Sequence, residues 1–288
     1  MDHQDGLISI HVLRKGPSLI EVSAQWHHQI PMEVDMNYGE QRSNALSGML
    51  HKVVVLSIGS LEQHGQHLPM LTDSLIGDEI ARRARAELSD EALFLPMIWT
   101  GASDHHLALP GAISISNDTY TQFIKDIIES LITHGFRRIL LLNSHGGNSG
   151  PAGNAIYQTQ MKHRDLPGLW LVLASWFTLA GPQIAALSST QQKHVTHACE
   201  LETSMLLYLR PDLVNMDAAK GGAISFDSAF WSADSSIPNR ITVPRSFEQI
   251  TSTGALGHPE LATPEKGEEL FVTVTKEVVA LIRELSTW

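Results

Sequence analysis

A single cysteine, Cys199, stands in a chain of 288 residues. An internal disulfide is therefore impossible, and no thiolate metal cluster can form. Cationic residues are also scarce, with 20 Lys and Arg against 31 Asp and Glu and a formal charge of −11. Without a basic cluster, no surface invites nucleic acid. The acidity serves solubility, and it also suits a protein that gathers cations. Long apolar runs are missing: no stretch approaches the ~20 residues of a membrane span. The opening MDHQDGLISIHVLRKG lacks the cationic start and apolar segment of a signal peptide. Gly/Ser tracts, Pro runs and charge blocks that would mark a linker are absent too. The expectation is a cytoplasmic chain that binds neither nucleic acid nor membrane. Residues 1–50 would form an N-terminal extension of strands or loops, and residues 51–288 one domain with a large core.

What is present alternates. Val53 to Ile58 is a short β-branched run closed by Gly59 and reads as a buried strand of a parallel sheet. Ile76, Ile80, Ala84 and Leu88 recur every four residues and predict an amphipathic helix. Leu93 to Ile98 is a second strand candidate. A helix capped by Asn117 or Asp118 should carry Phe123, Ile127, Leu131 and Ile132, with Gly135 just past its end. Arg138 to Leu142 is a third strand, a helix should follow to about His163, and Leu169 to Ala174 is a fourth strand. Residues 197–209 read as a helix ending before Pro211. Thr263 and Pro264 open the last one. Strands alternating with helices imply an α/β fold with a mostly parallel sheet covered on both faces. Ligands of such sheets bind beyond the carboxyl ends of the strands.

Two loops at those ends are chemically loaded. The first, after strand 53–58, holds Glu62, His64, His67 and Asp73; the second, after strand 138–142, holds Asn143, His145 and Asn148. A third cluster, His197-Ala-Cys-Glu200-Leu-Glu202, opens a predicted helix on which His197 and Glu200 would share a face. Carboxylates and imidazoles without thiolates suit Zn, Mn or Fe. One bridging carboxylate would let this set hold two divalent metal ions, whose shared water would ionise near pH ~7. Each residue alone has a bland reading: Glu62 a loop surface residue, His64 and His67 hydrogen-bonded loop histidines, Gly146-Gly147 a plain turn. Three such clusters at strand ends and a helix start together favour a site. No G-x-x-x-x-G-K-[ST] phosphate loop exists.

The same residues carry a resemblance. VVLSIGSLEQHGQHLPMLTD, SDHHLALPGAIS, LLLNSHGGN, HACELETSMLLYLRPDLV and GHPELATPEKGEEL occur in that chain order, and together they resemble the motifs of the creatininase (creatinine amidohydrolase) family from about residue 52 onward. The resemblance implies a three-layer αβα sandwich, two metal ions per subunit, a homo-oligomer (often a hexamer in that family) and hydrolysis of non-peptide C–N bonds, frequently in cyclic amides. It implies that Glu62, Asp73 and His145 hold one metal, and that His64, the bridging Asp73 and one more carboxylate hold the other. Creatinine-cleaving members carry that carboxylate two residues after the loop histidine, where this chain has Gly147, so Glu200 is the expected substitute. His197 matches the catalytic histidine and, with Glu200, makes up the expected catalytic pair. His106 and Trp176 would line the substrate pocket. Glu202 would orient His145 or His197, or be a structural helix residue. Gln192-Lys193-His194 stands where creatinine-cleaving members carry a tryptophan, so the expected small-molecule substrate is not creatinine itself. Family members also include formamide hydrolases, a peptide-trimming enzyme and hydrolases of cyclic sugar-derived ketones.

The mechanistic expectation is a metal-bridged hydroxide attacking a carbonyl, with His197 moving a proton to the leaving atom. Two alternatives remain: C–C hydrolysis of a cyclic sugar-derived ketone, or a metal-binding protein of the same fold without catalysis. A phosphatase ranks low, because few basic residues flank these loops.

Overall fold

In a computed structural model, the described residues are 37–232 and 239–288, together with the backbone of 11–14 and 20–23. The chain divides into two units, Met1–Asp35 and Met36–Trp288. In the first unit β1 (His11–Arg14) pairs antiparallel with β2 (Ile20–Ser23), His11 opposite Ser23. The expectation that residues 1–50 form an extension of strands or loops falls largely outside the described residues.

The larger unit begins with a short helix, α1 (Ser43–Leu46). The β-branched run that follows is strand β3 (Val53–Ile58), buried along its whole length. Side chains alternate across a strand, and here both faces are apolar. Val53 and Val55 enter one core; Val54, Leu56 and Ile58 enter the other. The remaining strands are β4 (Ala92–Phe94), β5 (Arg138–Asn143) and β6 (Trp170–Ser175), all parallel, in the order β4-β3-β5-β6. Strand β4 is shorter than the expected 93–98. Pro96 has no N–H to give a ladder, and Ile98 makes only an isolated bridge to Ile58.

Helices α2 (Thr72–Glu87), α5 (Trp176–Leu179), α6 (Gly181–Ala186), α7 (Glu200–Leu209) and α8 (Pro264–Thr287) cover the first face. Helices α3 (Asn117–Thr133) and α4 (Ser149–Lys162) cover the second. The result is the expected three-layer αβα arrangement. Helix α3 ends as its sequence requires: Gly135 sits at φ +103°, a region that glycine enters without steric penalty. Thr263 caps α8 by accepting from the Lys266 N–H, with Pro264 at the first helical position. Helix α7 begins at Glu200, three residues later than the sequence suggested. Ala198 has φ +51°, which breaks the helical path before it starts. His197 is therefore not a helical residue and does not share a face with Glu200.

Strand order places the site. From β3 the chain crosses to β4 on one side, returns over the opposite face and continues through β5 to β6. Connections leaving β3 and β5 diverge, and a crevice opens between their carboxyl ends.

Candidate metal centre

The loop after β3 carries Glu62, His64 and His67, and the first turn of α2 carries Asp73. The loop after β5 carries His145, and the start of α7 carries Glu202. These stretches meet in the crevice, and all six side chains are buried. Three groups of ligand-type atoms lie within 4.8 Å of one another: Glu62, Asp73 and His145; His64, Asp73 and Glu202; and Glu62, His64 and His197.

Asp73 is central. Its Oδ1 faces His64 Nε2 at 3.1 Å, and its Oδ2 faces His145 Nδ1 at 3.0 Å while accepting from Ser60 Oγ at 2.7 Å. Each histidine turns its far ring nitrogen to a backbone carbonyl: His64 Nδ1 to Glu62 O at 3.3 Å, His145 Nε2 to Ala102 O at 3.0 Å. That pattern fixes a ring so that its other nitrogen points into the site, as metal-binding histidines require. Glu62 Oε1 meets His106 Nε2 at 3.1 Å. Its Oε2 lies 3.2 Å from His145 Nε2 but makes no hydrogen bond. A buried carboxylate oxygen without a donor is costly, and a cation is the partner it lacks. The donor set is oxygen and imidazole only, which suits Zn²⁺, Mn²⁺ or Fe²⁺. The residues present thus fit a divalent metal.

Electrostatics follow from burial and proximity. Burial pushes Glu62 upward, but His145 and His106 outweigh it and hold the carboxyl well below its usual range. Burial likewise opposes protonation of His64, yet Asp73 lifts it to about 9. Glu62 and Asp73 raise His145 in the same way, while His64 and His145 hold Asp73 low. Burial raises Glu202 to about 7. His106 and His197 go the other way, because burial dominates and neighbouring imidazoles add to it. Without metal, then, protons on His64 and His145 neutralise the buried acids; these are protons that a cation displaces.

Two expected site residues stand elsewhere. The Glu200 carboxylate accepts from Lys266 Nζ at 2.8 Å and from the backbone N–H groups of Gln191 and Gln192. It is the first residue of α7 and faces α8. Glu202, two residues on and about 200° round the helix, faces the cluster and also accepts from the Ala198 N–H at 2.6 Å. Trp176 is fully buried in the first core. Its neighbour Phe177 lines the cavity instead, as successive helical residues point about 100° apart. His106 does line the cavity, as do His105 and His197. His67 is turned away to Thr203 Oγ1 at 2.9 Å. Cys199 is buried and its thiol is pushed up to about 12, so it carries no nucleophile. Gly147 has a steric reason. A Cβ there would sit 2.2 Å from Ala102 O and 2.4 Å from His145 Nε2, so no carboxylate fits at this point of the loop.

Phe247 is a wall residue that no motif or period in the chain singles out. Its ring stacks on His106 with centroids 3.9 Å apart and meets His197 edge-on at 4.5 Å. It rides on a single 3₁₀ turn, Phe247–Gln249, whose periodicity is too short to read. The cavity enclosed by these groups measures about 240 Å³, the scale of a small molecule.

Comparison with known proteins places these features in context. The profile of the Creatininase family, described as creatinine amidohydrolase, matches residues 41–282. A mycofactocin precursor peptide peptidase of Mycobacterium tuberculosis is 27% identical over 279 residues, covering 93% of this chain and 96% of its own. A creatinine amidohydrolase of Pseudomonas putida is 27% identical over 248 residues, covering 81% and 89% respectively. Among solved structures, one titled "Creatininase Mn" superimposes with a TM-score of 0.71 at 25% identity, over 87% of this chain and 98% of that one.

Proposed function

This chain belongs to the creatininase family, and on that premise we propose that its buried cluster holds two divalent ions and hydrolyses a non-peptide C–N bond of a small cyclic amide or related compound. Glu62, Asp73 and His145 would hold one ion, and His64, Asp73 and Glu202 would hold the other. Glu202 takes the place expected of Glu200, which is committed to Lys266. Bound there, divalent ions supply a water that ionises near pH ~7 and a Lewis acid for the substrate carbonyl.

The chain's own groups do the rest. His197 Nε2 lies 2.7 Å from the Gln63 carbonyl and donates to it. The lone pair on Nδ1 then faces the site, where Glu62 Oε1 is 3.8 Å away. A neutral imidazole in that pose accepts a proton from the attacking water and returns it to the leaving nitrogen. Phe247, Phe177 and Leu256 give the cavity apolar walls, which hold a small ring and exclude bulk water. Gln192 accepts from the Glu200 and His258 N–H groups, so that segment offers no aromatic face to a planar ring, and creatinine is not the substrate we favour. A cytoplasmic homo-oligomer is the setting this reading implies.

The observation that carries the reading is the convergence of buried Glu62, His64, Asp73, His145 and Glu202, with Glu62 Oε2 left without a donor. A second reading is cleavage of a peptide, favoured by the peptidase relative aligning over 93% of this chain. The test is a panel of cyclic amides, formamides, short peptides and cyclic ketones against protein reconstituted with Zn²⁺ or Mn²⁺. Turnover of an amide that chelation abolishes is the expected result. Metal-independent turnover, or none with any C–N substrate, would sink the proposal.

A further inference from the structure

Gln63 belongs to none of the ligand groups, yet its amide reaches two of the histidines that line the cavity. The Nε2 atom lies 3.0 Å from His106 Nδ1, 3.1 Å from His197 Nε2 and 3.2 Å from Gly254 O. Oε1 accepts from the Gly65 N–H at 2.9 Å. The two backbone groups settle which way the amide points. A flipped amide would set its NH₂ against the Gly65 N–H and its oxygen against the Gly254 carbonyl, two repulsive contacts in a buried place.

With the amide so oriented, its two hydrogens meet three neighbours. Gly254 O can only accept. His197 Nε2 is already a donor, since the Gln63 carbonyl lies 2.7 Å from it. The remaining hydrogen goes to His106 Nδ1, which must therefore be an acceptor. A neutral imidazole that accepts at Nδ1 carries its hydrogen at Nε2, and His106 Nε2 faces Glu62 Oε1 at 3.1 Å.

From this geometry we infer that Gln63 is a positioning residue that sets the tautomers of two cavity histidines, His106 and His197. Its side chain commits His106 to donate from Nε2 to Glu62, and its main-chain carbonyl commits His197 to present a bare Nδ1. Both effects serve the proposed hydrolytic centre and so rest on that reading: Glu62 Oε1 receives a hydrogen bond, Oε2 stays open for an ion, and the base points inward. The stacked Phe247 ring covers one face of the His106 ring and limits its rotation.

Gln63→Met keeps the length and removes the hydrogens; Gln63→Glu keeps the shape and offers only acceptors. Each is prepared as full-length protein with ¹⁵N-histidine, free and loaded with Zn²⁺, and signals are assigned with His106→Gln and His197→Gln. Long-range ¹H–¹⁵N correlations report which ring nitrogen carries hydrogen. Wild type should show His106 protonated at Nε2 alone, Gln63→Met a mixture, and Gln63→Glu hydrogen at Nδ1. Zinc stoichiometry should stay at the wild-type value in Gln63→Met. An unchanged His106 pattern in both variants overturns the inference. Loss of zinc from Gln63→Met would overturn it differently, by making Gln63 a support of the ligand shell. Absence of zinc from wild type would instead remove the hydrolase reading and leave the tautomer result standing.

Discussion

Asp73 sits where two demands meet. It opens α2, where the helix dipole favours a carboxylate, and its two oxygens face the two histidines on either side. Asp73→Ala removes the group that both proposed ion sites share, so metal content should fall to background and turnover with it; metal analysis of purified protein checks this. His197 makes the opposite prediction. It touches the cluster only at 3.8 Å, so His197→Ala should keep its metal and lose turnover by about 10²- to 10⁴-fold, the usual contribution of a positioned acid–base group. If His197→Ala loses metal instead, the third ligand grouping with Glu62 and His64 is the true one. Glu200 and Glu202 separate on the same assay: Glu202→Gln should lower metal stoichiometry, and Glu200→Gln should not. The sequence showed that carboxylates and imidazoles gather here, since it places them at strand ends and a helix start. The resemblance pointed to Glu200 of Glu200-Leu-Glu202, whereas Glu202 is the one whose carboxylate lies with His64 and Asp73. The left-handed Ala198 also moves the start of α7 from the expected residue 197 to Glu200.

At the scale of elements, Glu200 acquires a different task. Its carboxylate is fully buried against Lys266 in the first turn of α8, and it also accepts from the chain ahead of α7. Removing one partner of a buried pair leaves an uncompensated charge. Lys266→Met should therefore destabilise by about 3–5 kcal/mol, read as a lower denaturation midpoint, while the Lys266→Met, Glu200→Met double variant recovers much of the loss. No recovery would mean that the backbone contacts of Glu200, not the ion pair, dominate. Helix α2 gives a pH-dependent case. Glu79 is buried enough to be pushed upward, but the guanidinium groups of Arg82 and Arg83, at 2.6 and 2.7 Å, hold it below its ordinary 4.5. A depressed acid contributes stability above its unfolded value and loses it as pH falls through the folded one. Glu79→Gln should accordingly destabilise by about 1 kcal/mol at neutral pH, and the gap should close in unfolding titrations below about pH 4.5. Elements such as β3, β5 and α8 were legible because burial and period dictate their residues. Strand β4 was cut short by Pro96, and the wall around Phe247 has no period to betray it.

Across the whole larger unit, the fold brings together groups that repel or starve without a cation. Glu62, Asp73 and Glu202 are buried acids drawn from separate stretches of chain; protons on His64 and His145 offset Glu62 and Asp73, and burial favours the protonated form of Glu202. In the unfolded chain the same groups are dispersed in water and offer no preformed site, so metal binds the native state almost alone. Mass action then makes metal a folding ligand: at a free concentration a hundredfold above Kd, each ion adds about 2.7 kcal/mol. For a domain of this size one kcal/mol moves the melting point by roughly 2–4 °C, so removing two ions should lower it by on the order of 10 °C. Calorimetry of wild type with and without a chelator measures this directly. Asp73→Ala is the control, because it lacks the bridging group and should melt at one temperature in both conditions. If chelation leaves the wild-type melting point unchanged, the acids are satisfied by imidazolium alone, and the convergence in the crevice is a buried charge network with no metal in it.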